Sequence, residues 1–204
     1  MIGIIDYGLG NVKAFLNIYK QLNIPSSLVS CKEDILNSER LILPGVGSFD
    51  WAISRLENKG LFNILNDAIL VNKIPILGVC VGMQIMAKSS EEGIKRGFGW
   101  IDGEVKRFTF KESSNNFLNV HMGWNEISTR RQSVLLKGID EKSRFYFLHS
   151  YYFYSDHKEL IIANSNYGSD FTCCLEFKNC YGVQFHPEKS HKWGIQLLKN
   201  FSEI

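Results

Sequence analysis

One cysteine stands between two glycines in Gly78-Val79-Cys80-Val81-Gly82, at the end of the apolar run "KIPILGVC" and just before a helix-like segment. A thiol on a tight strand-to-helix turn is a nucleophile elbow, and the flanking glycines let the backbone turn without side-chain collision. The sulfur then projects from the carboxyl end of a strand, where open α/β sheets place their ligands. A helix starting near Val81 favours the thiolate, the reactive species, through its N-terminal partial charge. The Val81 N–H is free to serve an oxyanion. Taken alone, the pattern fits a buried structural cysteine with two incidental glycines equally well.

A thiol nucleophile needs a base and a group that orients the base. "YGVQFHPEKS" (181–190) offers both. If 183–188 is extended, His186 and Glu188 share one face with Gln184, while Val183 and Phe185 face the core. Glu188 then bonds one ring nitrogen and leaves the other for Cys80. In "LPGVGSF" (43–49), Gly45 and Gly47 flank Val46 directly after an apolar run. Such a loop can bring a second N–H to an oxyanion, although by itself it reads as an ordinary turn.

The elements that must position these groups follow from periodicity. "IGIID" (2–6), "SSLVS", "RLILPG" (40–45) and "KIPILGVC" (73–80) read as strands. Helical spacing runs from Asn11 through Val12, Phe15, Leu16, Tyr19 and Leu22, again over 49–58 and 61–72, and on through "MQIMAKS". Continuous apolar strands separated by helices predict a parallel sheet covered on both faces. The second half is richer in strands: "EVKRFTF", "NEIST", "RFYFLHSYYFY", "LIIANSNY", "FTCCLEF" and "YGVQFHP", closed by the helix-like "KWGIQLLKNF". The expected fold is α/β: one compact domain over residues 1–204, with a mostly parallel central sheet flanked by helices and added β-strands in the second half.

Bulk properties exclude several classes. A chain of 204 residues with 45% hydrophobic and 22% charged residues has the balance of a globular domain. A net charge of +2, without a Lys/Arg-rich run, gives no footprint for nucleic acid. No apolar run approaches the ~18 residues of a membrane span, and no basic leader precedes an apolar core, so a cytoplasmic protein is expected. Cys31, Cys80, Cys173, Cys174 and Cys180 lack a framework spacing and any CxxC, which argues for free thiols, mostly core filler, and against structural zinc or another metal. Neither GxxxxGK[ST] nor GxGxxG occurs, and no cofactor is expected.

"IIDYGLGNV", "LPGVGSF", "GVCVGMQ", "SSEEG", "HMGWN", "FLHSYY" and "YGVQFHPEKS" together cover the chain end to end. In that order they resemble the class I (triad) glutamine amidotransferases, which are flavodoxin-like, and within them the glutaminase subunits of imidazole glycerol phosphate synthase. The resemblance implies a Cys80–His186–Glu188 triad hydrolysing L-glutamine. It implies that Gln84, Glu92, Ser150 and Tyr151 hold that substrate. It makes Gly45-Val46-Gly47 the oxyanion loop, with Val81 beside it, and puts Asn11, Trp124, Asn125 and Lys189 at the contact with a synthase partner. That partner is a (β/α)8 barrel that takes the ammonia to form imidazole glycerol phosphate and AICAR in histidine biosynthesis. Read as residues alone, Glu92 also fits a surface acid, Tyr151 and Trp124 core aromatics, and Lys189 a solvated lysine.

The chain departs from the pattern at Val120, where the family usually has proline before "HMGWN", which implies a less rigid loop into the partner contact. "FDWAI", "GVCVG" and "EKSHKWG" resemble paralogous subunits that feed ammonia to a sugar-modifying amidotransferase in surface-polysaccharide or flagellar-sugar pathways. A stand-alone γ-glutamyl hydrolase would share the Cys–His logic but leave "HMGWN" unexplained. A non-enzymatic redox sensor would leave His186 and Glu188 without a task.

Overall fold

Apolar runs without polar alternation have to be covered on both sides, and the chain achieves this by pairing them in parallel between helices. The computed structural model describes residues 1–109 and 119–204. The first half holds β1 (Ile2–Ile5), α1 (Val12–Gln21), β2 (Ser26–Val29), α2 (Lys32–Leu36), β3 (Arg40–Leu43), α3 (Phe49–Asn58), α4 (Leu61–Asn66), β4 (Ile76–Val79) and α5 (Val81–Gln84). The second half holds β5 (Ser89–Ser90), β6 (Glu104–Arg107), β7 (His121–Glu126), β8 (Ser128–Thr129), β9 (Arg144–His149), β10 (Tyr151–Tyr154), β11 (Ile161–Asn166), β12 (Asp170–Phe177), β13 (Cys180–Val183) and α6 (His191–Ser202). Among the described residues no helix is long and apolar enough to cross a membrane.

The main sheet runs β2-β1-β3-β4-β13-β12-β10-β6-β5, with β11 on β12 and β8 on β11. From β2 to β13 every pairing is parallel. From β13 to β6 the pairings are antiparallel. The added strands of the second half thus extend the same sheet. β7 and β9 form a separate antiparallel pair, with His121 opposite His149 and Trp124 opposite Tyr146. α1 turns Phe15, Ile18 and Tyr19 inward, and the Tyr19 hydroxyl donates to Leu198 O at 3.1 Å, tying α1 to α6. α3 contacts α4 and α5, and α2 contacts α4.

Three local expectations are corrected. The helix over 61–72 ends as α4 and widens over 67–71, where Asn72 N–H bonds Asp67 O five residues back. Asn179 Nδ2 holds Ile69 O from outside at 3.0 Å, which takes that carbonyl from the regular ladder. The helix expected through "MQIMAKS" is a single turn. The carbonyls of Ile85, Met86 and Ala87 are captured by the N–H groups of Phe98, Ile101 and Gly99, so α5 cannot continue. The stretch 183–188 is not extended throughout, because β13 stops at Val183 and Pro187–Lys189 form a 3-10 turn. Proline has no N–H for a ladder and suits the first position of a turn. The short helix α2 was not foreseen, and Phe110 of "EVKRFTF" lies outside the described residues.

Candidate active site

Cys80 links β4 to α5 with φ +54 and ψ −112, a sparsely populated conformation for a residue with a side chain. The surroundings hold it there: Cys80 N–H donates to Val183 O at 2.8 Å, and Cys80 O accepts from Met83 and Gln84. The turn also depends on Gly82. A Cβ at Gly82 would collide with the Leu43 carbonyl oxygen of β3. Gly82→Ala is therefore expected to lose about 2 kcal/mol of stability, since backbone cannot yield as a side chain can. A denaturant midpoint equal to wild type would contradict this packing.

His186 is brought to the sulfur by the turn after β13. Its N–H donates to Tyr146 O at 2.9 Å, and Ser190 Oγ pins the turn by donating to His186 O and accepting from Tyr146 N–H. His186 Nδ1 lies 2.9 Å from Glu188 Oε1, with the two side chains 3% and 2% exposed. The i, i+2 contact is thus made across a 3-10 turn. Gln184, as expected, points toward the cysteine, its Nε2 3.7 Å from Cys80 Sγ. Phe185 is buried against Phe145, with ring centroids 4.0 Å apart.

Burial by itself pushes the His186 ring toward its neutral form. Hydrogen bonds and charge from Cys80 and Glu188 outweigh it and raise the ring to about 10. At neutral pH this geometry holds an imidazolium against the thiol. With α5 only one turn long, that imidazolium, more than a helix dipole, is the positive charge that faces the sulfur.

Cys80 and His186 open onto a cavity of about 240 Å³. Val46, Gly47 and Val81 line one part of it, and Gln84, Glu92, Ser150, Tyr151 and Lys189 line the rest with Val120, Leu148 and His149. Val81 is the first residue of α5, so its N–H has no partner within the helix. Gly47 has φ +93, a conformation open to glycine and costly for other residues. The loop is tethered at its start, where the buried Tyr7 hydroxyl donates to Pro44 O at 2.7 Å. Gly45 is not a cavity residue; it packs beneath the loop against Val81 and Gly82. Gln84 Nε2 donates to Tyr151 O at 2.9 Å. Glu92 Oε2 accepts the Phe49 N–H at the start of α3 at 2.8 Å, and burial raises its pKa.

Asn11 and Trp124 lie outside the cavity. Asn11 is exposed at the start of α1. Trp124, 43% exposed, stacks flat on His191 with centroids 5.1 Å apart. Asn125 occupies the alternate position of β7, and its amide is engaged within the chain, donating to Asn166 O at 2.8 Å. Lys189 extends its ammonium over the Tyr146 ring. Val120, Leu148 and His149 were missed as cavity residues, although "HMGWN" and "FLHSYY" had marked the segments that carry or adjoin them.

The family described as "Glutamine amidotransferase class-I" matches residues 3–203. The chain belongs to the class I glutamine amidotransferase family. This amidotransferase is 50% identical over 204 residues to the imidazole glycerol phosphate synthase subunit HisH of Leptospira borgpetersenii, with 100% of both chains covered. It is 47% identical over 204 residues to the protein of the same name from Bdellovibrio bacteriovorus, again with 100% of both covered. Among solved structures, one described as a glutamine amidotransferase superposes with a TM-score of 0.73 at 17% identity, covering 99% of this chain and 97% of that one. That likeness shows the shared α/β fold.

Proposed function

We propose that this amidotransferase is the glutaminase subunit of an imidazole glycerol phosphate synthase. It would hydrolyse L-glutamine through Cys80, His186 and Glu188 and hand ammonia to a (β/α)8-barrel partner, for imidazole glycerol phosphate and AICAR formation in histidine biosynthesis. The observation that carries the chemistry is the elbow cysteine facing a buried His186–Glu188 pair across one cavity. The full-length identity to HisH subunits supports the pathway. Residues 1–204 act as one domain on this reading, since one sheet carries both Cys80 and His186.

The Cys80 thiolate attacks the side-chain amide carbon of glutamine. The oxygen of the tetrahedral intermediate is received by the Val81 N–H and by an N–H of the Gly45-Val46-Gly47 loop. The His186 imidazolium gives its proton to the amide nitrogen, the C–N bond breaks, and ammonia leaves. Neutral His186 then takes a proton from water, whose oxygen attacks the thioester carbon. The C–S bond breaks, Cys80 returns as thiolate, and glutamate is released. Glu188 holds the ring in place through both steps. Gln84, Glu92, Ser150 and Tyr151 grip the remainder of the substrate.

Ammonia is useful to a synthase only if delivered before it reaches bulk water, so activity on this chain is tied to a docked partner. Asn11, Trp124, Asn125 and Lys189 form the contact, and docking biases the Val46 peptide toward the orientation that completes the oxyanion hole. One missing donor costs about 3 kcal/mol of transition-state stabilisation, roughly a hundredfold or more in rate. Glutamate release is expected to be slow for the chain alone, faster with the barrel subunit, and fastest with that subunit carrying its ligand. Trp124→Ala should weaken docking or stimulation while leaving Cys80 alkylation unchanged. Equal rates in all three conditions would favour a stand-alone hydrolase. Stimulation by a sugar-pathway synthase instead would change the acceptor and leave the glutaminase chemistry as it is.

A further inference from the structure

Two buried histidines take no part in the steps above: His149 lines the cavity, and His121 stands behind it. His121 on β7 and His149 at the end of β9 are 4% and 7% exposed. His121 Nδ1 lies 3.1 Å from His149 Nε2, and His149 Nδ1 lies 2.8 Å from Tyr151 O. At the other end, Asn125 Nδ2 lies 3.2 Å from His121 Nε2. Past Tyr151 the contacts continue: Gln84 Nε2 donates to Tyr151 O and, at 3.1 Å, to Gln184 Oε1. Gln184 Nε2 reaches Cys80 Sγ.

The direction of the bonds between Asn125 and Tyr151 is determined from both ends. Asn125 Oδ1 accepts the Glu126 N–H at 2.9 Å and Asn125 Nδ2 donates to Asn166 O, so the amide cannot be turned over. His121 Nε2 is therefore an acceptor. Burial pulls both rings far below the usual histidine range, His121 to about 4 and His149 to about 3, so each is neutral and carries one N–H. His121 then has its proton on Nδ1 and donates to His149 Nε2. Tyr151 O can only accept, which independently requires the proton of His149 on Nδ1. The two requirements agree.

We propose that His121 is a positioning residue: by donating from Nδ1 it holds His149 in the tautomer that grips the Tyr151 carbonyl, and so sets the wall that receives the substrate. The proposal rests on the glutamine reading for what that wall binds. Without the donor, the His149 Nε2 lone pair is buried and unpaired, and the ring can relieve this only by changing tautomer or turning, either of which releases Tyr151 O. The consequence falls on substrate binding, since His121 is not a lining residue and the His149 ring nitrogens are engaged by His121 and Tyr151 rather than by the sulfur.

Two variants separate this role from packing. His121→Phe keeps a ring stacked on Phe147 and Tyr167, whose centroids lie 4.7 and 4.4 Å from the histidine, but has no N–H. His121→Asn returns an N–H near the Nδ1 position. The first readout needs no substrate: long-range 1H–15N correlation of the histidine rings in the wild-type chain should find His121 and His149 protonated on Nδ1. A proton on Nε2 of His149 overturns the proposal even where His121→Phe does not fold. The second readout is alkylation of Cys80 by 6-diazo-5-oxo-L-norleucine, a glutamine analogue, beside iodoacetamide, which needs no glutamine site. In His121→Phe the half-saturating concentration of the analogue should rise roughly tenfold, with the maximal rate and the iodoacetamide rate held within about twofold. His121→Asn should recover most of that loss. Saturation by the analogue equal to wild type, or an asparagine variant no better than the phenylalanine one, overturns the proposal. A wild-type chain that reacts with iodoacetamide but shows no saturable reaction with the analogue overturns the glutamine reading, whatever the ring tautomers are.

Discussion

Cys80→Ala is expected to abolish glutamine hydrolysis, by roughly four orders of magnitude or more, while the protein remains folded. Alanine adopts the backbone of residue 80 with the same strain as cysteine, and apart from its interaction with His186 the sulfur makes long contacts, 3.8 Å to Leu148 O and 3.7 Å to Gln184 Nε2. The other thiols are poor candidates for the same work. Cys31 is exposed and bonds Asp34. Burial pushes Cys173 well above the usual thiol range and Cys180 up to about 12, so both stay protonated and inert. Their alanine variants should lose about 1 kcal/mol of stability and little turnover. Glutamate release by the assembled enzyme, read beside the denaturant midpoint, separates the two outcomes. Substantial activity in Cys80→Ala would remove the elbow from the mechanism.

His186→Ala should be nearly as damaging to turnover, because nucleophile and base act as a unit. Its effect on stability should be larger than that of Cys80→Ala. The Glu188 side chain is almost fully buried, its Oε2 finds no partner among the described residues, and the imidazolium is what compensates its charge. Stranding that carboxylate costs about 3 kcal/mol, and adding Glu188→Gln to His186→Ala should recover part of it. Glu188→Gln alone should slow turnover less than His186→Ala, since it orients the ring and enters no bond change. The pH dependence has a definite sign. The folded pKa of His186, about 10, stands above the unfolded value of about 6.5. Its contribution to stability is therefore whole below about pH 6.5 and is lost as pH climbs through about 10. The difference between wild-type and His186→Ala unfolding free energies should shrink across that window. A difference that grows with pH would mean that the ring is neutral in the folded protein.

The Cys80 elbow and the His186–Glu188 pair were legible because their signals are local: glycines around Cys80, and His-Pro-Glu within three residues. The strands of the first half and the helices α1 and α3 were legible for the same reason, since each follows from one contiguous stretch of sequence. What escaped depends on partners distant in sequence. The end of α5 is decided by the loop at 97–101 capturing its carbonyls, and nothing in "MQIMAKS" announces that. The pairing of His121 with His149 exists only through the β7–β9 register, so two single histidines gave no sign of acting together. The turn at Pro187 leaves His186 and Glu188 in contact by a different route from the extended one expected, because spacing specifies which residues can meet and not the backbone path.

β13 is inserted between β4 and β12, with Cys180 paired to Ile76 on one side and to Phe177 on the other. While the chain is being made, β4 stays a raw sheet edge until the segment around residue 180 has left the ribosome. Such an edge invites pairing with other chains, and non-local closure of this kind folds slowly. The same insertion delivers His186 to Cys80. On the mechanism proposed above, a nascent polypeptide carries an elbow cysteine with no base beside it, and would consume glutamine only once its central sheet is closed.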